Sequence, residues 1–112
     1  MLCLLLLLTT DPGLALFERT VRPMLVNHCV SCHGGDKIRG GLVLSTPEGL
    51  REGGDAGTVI QAGDPSSSRL LRALEYHNPD FRMPPSGRLP ESTIADVRRW
   101  IELGAPDPRP TG

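Results

Sequence analysis

Bulky aromatic side chains are scarce: the 112 residues include two Phe, one Tyr and one Trp. A domain of this length offsets its chain entropy by burying apolar bulk. So small an aromatic set points to a core completed by something other than side chains. Lysine is nearly missing too, with Lys37 the one lysine among 12 cations. Against 13 carboxylates the formal net charge is −1. That excludes nucleic-acid or anionic-membrane binding driven by a basic surface, and it excludes a lysine-rich docking ring. No apolar run reaches the about 20 residues of a membrane-spanning helix. No stretch alternates over strand length, and neither an internal repeat nor a second domain is visible. With 13 glycines and 11 prolines the chain is loop-rich, but it stays under the roughly 25–30% that marks low complexity.

What is present begins with residues 2–8, six leucines and Cys3. This run fits the apolar centre of an export signal, although no basic residue precedes it. Gly13-Leu14-Ala15 supplies small residues for cleavage before Leu16. Residues 1–15 therefore read as a leader, the alternative being an apolar tail left by a misplaced start or an excised domain. Cleavage would remove Cys3 and leave two cysteines. Residues 16–106 then form one small all-α domain of three to four helices with long Gly/Pro loops, and 107–112 a C-terminal tail. A first helix is expected over 16–28, kinked or restarted at Pro23. Thr46-Pro47 opens a short helix ending near Glu52. Another follows Asp64-Pro65, capped by Ser66 or Ser67, with Leu70, Leu71 and Leu74 on one side. The last, from Glu91 to about Leu103, puts Ile94, Val97, Trp100 and Ile101 on one stripe, and Gly104 and Pro106 end it. Phe17 is expected to cross this last helix.

The chemistry is concentrated in Cys29-Val30-Ser31-Cys32-His33. Two cysteines three apart followed at once by histidine form the attachment signature of a c-type haem. On one helical turn both thiols project together toward one porphyrin edge, and the adjacent imidazole reaches the iron, its other nitrogen held by a carbonyl. A zinc site would need two more ligands from His28, His77 and Cys3, which lack a second paired spacing. A redox dithiol would want a βαβ setting, and a simple disulfide stays open.

A haem held this way asks for a sixth ligand. Met83 lies in a polar loop, Asn78-Pro79-Asp80-Phe81-Arg82, and is followed by Pro84 and Pro85. Prolines stiffen the loop and need no N–H partner, which suits a weak thioether ligand. Met24 reads as core filler. His77 is the rival ligand, and His28 abuts Cys29 too closely to reach the opposite face of a ring. Arg39 and Arg82 are candidates to pair with propionates or else solvated surface residues. Gly34, Gly40 and Gly41 either admit a ring edge or serve ordinary turns.

These residues resemble the planctomycete-type cytochrome c domain. The resemblance rests on Cys29-Val30-Ser31-Cys32-His33-Gly34, Gly40-Gly41-Leu42-Val43-Leu44 and Gly53-Gly54-Asp55-Ala56-Gly57. It continues in Gly63-Asp64-Pro65-Ser66, Arg82-Met83-Pro84-Pro85 and Trp100-Ile101-Glu102-Leu103-Gly104-Ala105-Pro106, and so spans about residues 17–106. It implies a class I-like fold wrapped around one covalent haem c, with Cys29 and Cys32 as thioether donors and His33 and Met83 as the axial pair. It also implies export to the periplasm or the outer face of the cytoplasmic membrane, where such haems are attached. In that family the domain usually precedes larger domains of one long exported protein.

The expected function is outer-sphere electron transfer, since a His/Met pair fills both axial positions and raises the potential. No nucleophile–base set suggests an enzyme, and the iron is the one expected metal. Partners are a redox protein or attached domains, with no nucleic acid, no small-molecule substrate, and membrane contact only through an uncleaved leader. The alternatives are a ligand-binding or peroxidatic haem with a labile sixth position, and a haem-free module held by a Cys29–Cys32 disulfide. Leu42, Leu70, Leu71, Leu74, Ile94, Val97 and Trp100 are the expected shell of the cofactor. Without haem the chain is expected to be largely unfolded or molten. Calorimetry of the apoprotein checks this, and a cooperative transition would contradict it.

Overall fold

Asp11 starts the first helix. Its backbone is extended, and its carboxylate accepts from the N–H groups of Gly13 and Leu14 at 2.9 and 3.1 Å. Pro12 occupies the first turn, where a missing N–H leaves no orphan. Helix α1 then winds over residues 12–29 without a break, beginning one turn ahead of the expected Leu16. Pro23 neither ends nor restarts it. The stretches Phe17–Val21 and Leu25–Cys29 are wound wide on either side of one ordinary turn, and the Arg22 N–H reaches back five residues to the Phe17 carbonyl. A wider turn is how a helix continues past a residue that cannot donate. The computed structural model describes residues 11–29, 33–34, 37–38, 43–54 and 57–110, with backbone alone at 33–34 and 37–38. The leucine run with Cys3, and Cys32, Arg39, Gly40, Gly41 and Leu42, lie outside the described residues.

Three more helices follow. Helix α2, Pro47–Glu52, is capped as expected by Thr46, whose hydroxyl accepts from the Gly49 N–H at 3.1 Å. Gly49 is required there: a Cβ would stand 2.1 Å from the Val43 carbonyl oxygen. After α2 the expected helix start at Ser66 or Ser67 is instead a single tight turn, Pro65–Ser67. Helix α3, Arg69–Glu75, begins after Ser68. Ser68 is fully buried and turns its hydroxyl back, donating to the Asp64 carbonyl at 2.9 Å and accepting from Gln61 N–H at 2.9 Å. Hydrogen bonds from Ser66 and Ser67 hold the Asp64 carboxyl below the usual carboxylate range. Helix α4, Glu91–Glu102, ends at Leu103 and turns at Gly104, whose φ of +101° suits glycine.

The architecture is mostly helical, as expected of an all-α domain. Among the described residues β1, His33–Gly34, pairs antiparallel with β2, Lys37–Ile38, and a lone antiparallel bridge joins Gly54 to Gly57. The apolar stripe of α4 is buried at Ile94, Val97, Trp100 and Ile101 and meets Phe17 of α1. The Phe17 and Trp100 rings lie 6.0 Å apart at 45°, so the expected crossing is present. Leu70, Leu71 and Leu74 of α3 join the same cluster. Leu44, Leu50, Val59 and Leu89 join it from loops and α2.

Pro106, Asp107 and Arg109 are built onto this core. The Trp100 indole donates to the Pro106 carbonyl at 2.8 Å. Arg109 pairs with Asp107 at 2.6 Å, their side chains 10% and 2% exposed, and donates to the Leu44 carbonyl at 2.7 Å. Its guanidinium also lies over the Phe17 ring. Removing one member of a buried pair strands the other's charge, at about 3–5 kcal/mol. Asp107→Ala is therefore expected to lower the thermal midpoint by more than about 10 °C. Glu102→Ala breaks the exposed pair with Arg99 and should hardly move it.

Candidate haem-attachment site

Helix α1 aims one face inward: Val21, Leu25 and Cys29, spaced one turn apart, are all buried. Cys29 is the last residue of the helix, 8% exposed, and belongs to the apolar cluster that includes Leu71, Leu74 and Leu89. Its neighbours Val26 and His28 face outward. His28 lines a groove of about 260 Å³ between α1 and the start of α4, together with Met24, Asn27, Leu89 and Thr93. Cys32 lies outside the described residues, and with it the expected sharing of one helical turn by the two cysteines. His33 is placed by its backbone in β1, opposite Ile38.

Met83 sits in the loop between α3 and α4, and its side chain stands 39% exposed. Met24, by contrast, is 3% exposed in the core. The loop is fastened to the C-terminal end of α3, where a helix leaves carbonyls without internal partners. Ala73 carbonyl accepts from the Tyr76 N–H at 3.3 Å and from the Met83 N–H at 3.2 Å. Glu75 carbonyl accepts from Arg88 Nε at 3.4 Å. The Tyr76 hydroxyl donates to the Pro84 carbonyl. The loop's own turn is closed by Asn78, whose side chain and carbonyl take the N–H groups of Asp80 and Phe81. The Met83–Pro84 peptide is cis.

Arg82, read as a candidate propionate partner, has its guanidinium 5.7 Å from the centre of the Tyr76 ring. His77 is exposed, two residues beyond the end of α3. Sequence reasoning missed Tyr76, Arg88 and the two carbonyls they serve. The available signal was negative: no glycine follows Glu75 to end α3 before Pro79.

The donor chemistry fits a covalently held haem. A thiol lies in the apolar cluster at the end of α1, and a thioether is held open by a polar, strapped loop instead of being packed as filler. Cys29, Cys32, His33 and Met83 are the residues that would hold it. The family profile of planctomycete cytochrome c matches residues 29–87. It begins at the first cysteine of the motif and runs past Met83-Pro84-Pro85. No curated protein and no solved structure matches the chain. With more than half of its length matched, the chain belongs to the planctomycete cytochrome c family, and so to the haem proteins of electron transfer.

Proposed function

We propose that this chain is a mono-haem c-type cytochrome domain that passes single electrons by outer-sphere transfer. The haem, when bound, supplies the one-electron couple. Cys29 and Cys32 hold it through thioethers, and His33 and Met83 take the two axial positions. The observation that carries this reading is the state of Met83. It is 39% exposed, yet its loop is tied to α3 through backbone and side-chain bonds. A soft sulfur kept accessible and orderly suits ligation better than packing. With both axial positions filled by protein, the iron has no place for a substrate, and His/Met ligation favours a high potential. The proposal extends to export, with haem attached outside the cytoplasm. It also includes a redox partner met through a small transient interface, as electron-transfer encounters are.

Absorption spectra of protein matured with the c-type machinery test this. Sharp low-spin ferrous bands, a weak long-wavelength ferric band from sulfur–iron bonding, and no uptake of carbon monoxide are expected. Haem should stay with the chain on a denaturing gel. Met83→Ala should keep the covalent haem, lower the potential and admit carbon monoxide. An unchanged spectrum and potential in Met83→Ala would move the sixth position to another residue, His77 first. Uptake of carbon monoxide by the native protein would favour ligand binding or peroxidatic chemistry. No haem at all would leave a disulfide-held module.

A further inference from the structure

Tyr76 ends α3 in the left-handed region, with φ +64° and ψ +21°. Glycine is the usual residue there, because a side chain crowds the backbone in that conformation. A bulky aromatic at such a position is a cost that the rest of the molecule must repay. The repayment is visible on both sides of Met83. The Tyr76 hydroxyl donates to the carbonyl of Pro84, the residue after it. The Tyr76 ring lies under the guanidinium of Arg82, the residue before it. Met83 itself donates its N–H to Ala73, three residues before Tyr76. We propose that Tyr76 is the positioning residue for Met83, gripping both of its chain neighbours so that the thioether stays on the iron.

The inference rests on the reading of Met83 as a ligand, and it assigns to one side chain the stiffness attributed above to the loop. A tyrosine that merely filled space would gain nothing from its hydroxyl and would be better replaced by glycine. A positioning residue depends on the hydroxyl although it makes no contact with haem or substrate. The left-handed backbone is what turns the ring from the end of α3 onto the Met83 loop, so the strain and the grip are one feature.

Holoprotein carrying Tyr76→Phe removes the hydroxyl alone. Expected are retained covalent haem, a weaker sulfur–iron band in the ferric state, and imidazole binding to ferric haem tightened about three- to tenfold, the worth of one hydrogen bond. Tyr76→Gly relieves the backbone and removes the grip. It should loosen Met83 at least as much as Tyr76→Phe, whatever it does to the thermal midpoint. A structural role alone would move the midpoint and leave imidazole affinity and the band unchanged in both variants, and that result would overturn the proposal. Native protein without the sulfur band, together with a Met83→Ala variant of unaltered imidazole affinity, would instead overturn the ligand assignment beneath it. The two failures are therefore distinguishable.

Discussion

Phe17 and Trp100 are both fully buried, 6.0 Å apart, and they hold α1 across α4. Aromatics of this size bury roughly 150–250 Å² each, so this pair supplies much of the apolar bulk available to a chain with so few. The crossing is secured at its edges by polar bonds. Asp96 of α4 accepts from Thr20 at 2.6 Å and from Arg19 at 3.2 Å. Arg22 and Arg109 both lie over the Phe17 ring, at 5.2 and 5.7 Å, and Arg22 draws the Glu18 carboxyl below the usual carboxylate range through their hydrogen bond. The indole N–H takes hold of Pro106. From the crossing α1 continues for twelve residues and delivers Cys29 into the apolar cluster.

The other chemical group is delivered differently. Met83 belongs to no helix, and its loop contributes little to the core besides Pro84 and Leu89, both buried. What orders the loop is the open end of α3. The Ala73 carbonyl, shared with the Tyr76 cap, and the Glu75 carbonyl face the loop, which answers with a backbone N–H and an arginine. Glu75 is tied in turn to Arg98 of α4, so the Met83 loop inherits the rigidity of two helices. Because hydrogen bonds hold the loop instead of apolar burial, the Met83 side chain is left exposed.

The legible parts of the fold are those written in local rules. Thr46-Pro47 opens α2, the stripe of α4 is read correctly, and Gly104 stops it, because caps and periodicity act within a few residues. The family was legible because the order and spacing of its blocks form a one-dimensional pattern. Asp11-Pro12 also follows a local rule, but it lies inside the stretch that reads as a leader, where an apolar run masks a helix start. Ser68 was passed over because three consecutive serines can each cap, and only burial tells them apart. Leu44, Val59 and Leu89 sit in loops without a period, so nothing in one dimension marks them as core. Arg109 crosses 65 residues to the Leu44 carbonyl, a contact no pattern encodes. Tyr76 was illegible for the opposite reason: helix ends are sought at glycine, and here the residue at the end does something glycine cannot.

The four aromatics divide by role. Phe17 and Trp100 build the crossing, whereas Tyr76 and Phe81 stand by the loop of Met83, each under an arginine, at 5.7 Å for Arg82 and 4.5 Å for Arg69. Half of a scarce resource is thus placed outside the core, where it adds little burial and much orientation. A chain selected only to bury apolar area would have moved those rings inward. Their placement follows if the missing bulk is brought by the haem of its family, leaving the loop to hold one sulfur in position. On the proposed reading, the shortage of aromatics and the left-handed backbone at Tyr76 would have one cause: two of four rings stand by the loop of the proposed ligand, and the cofactor would supply the bulk they leave out.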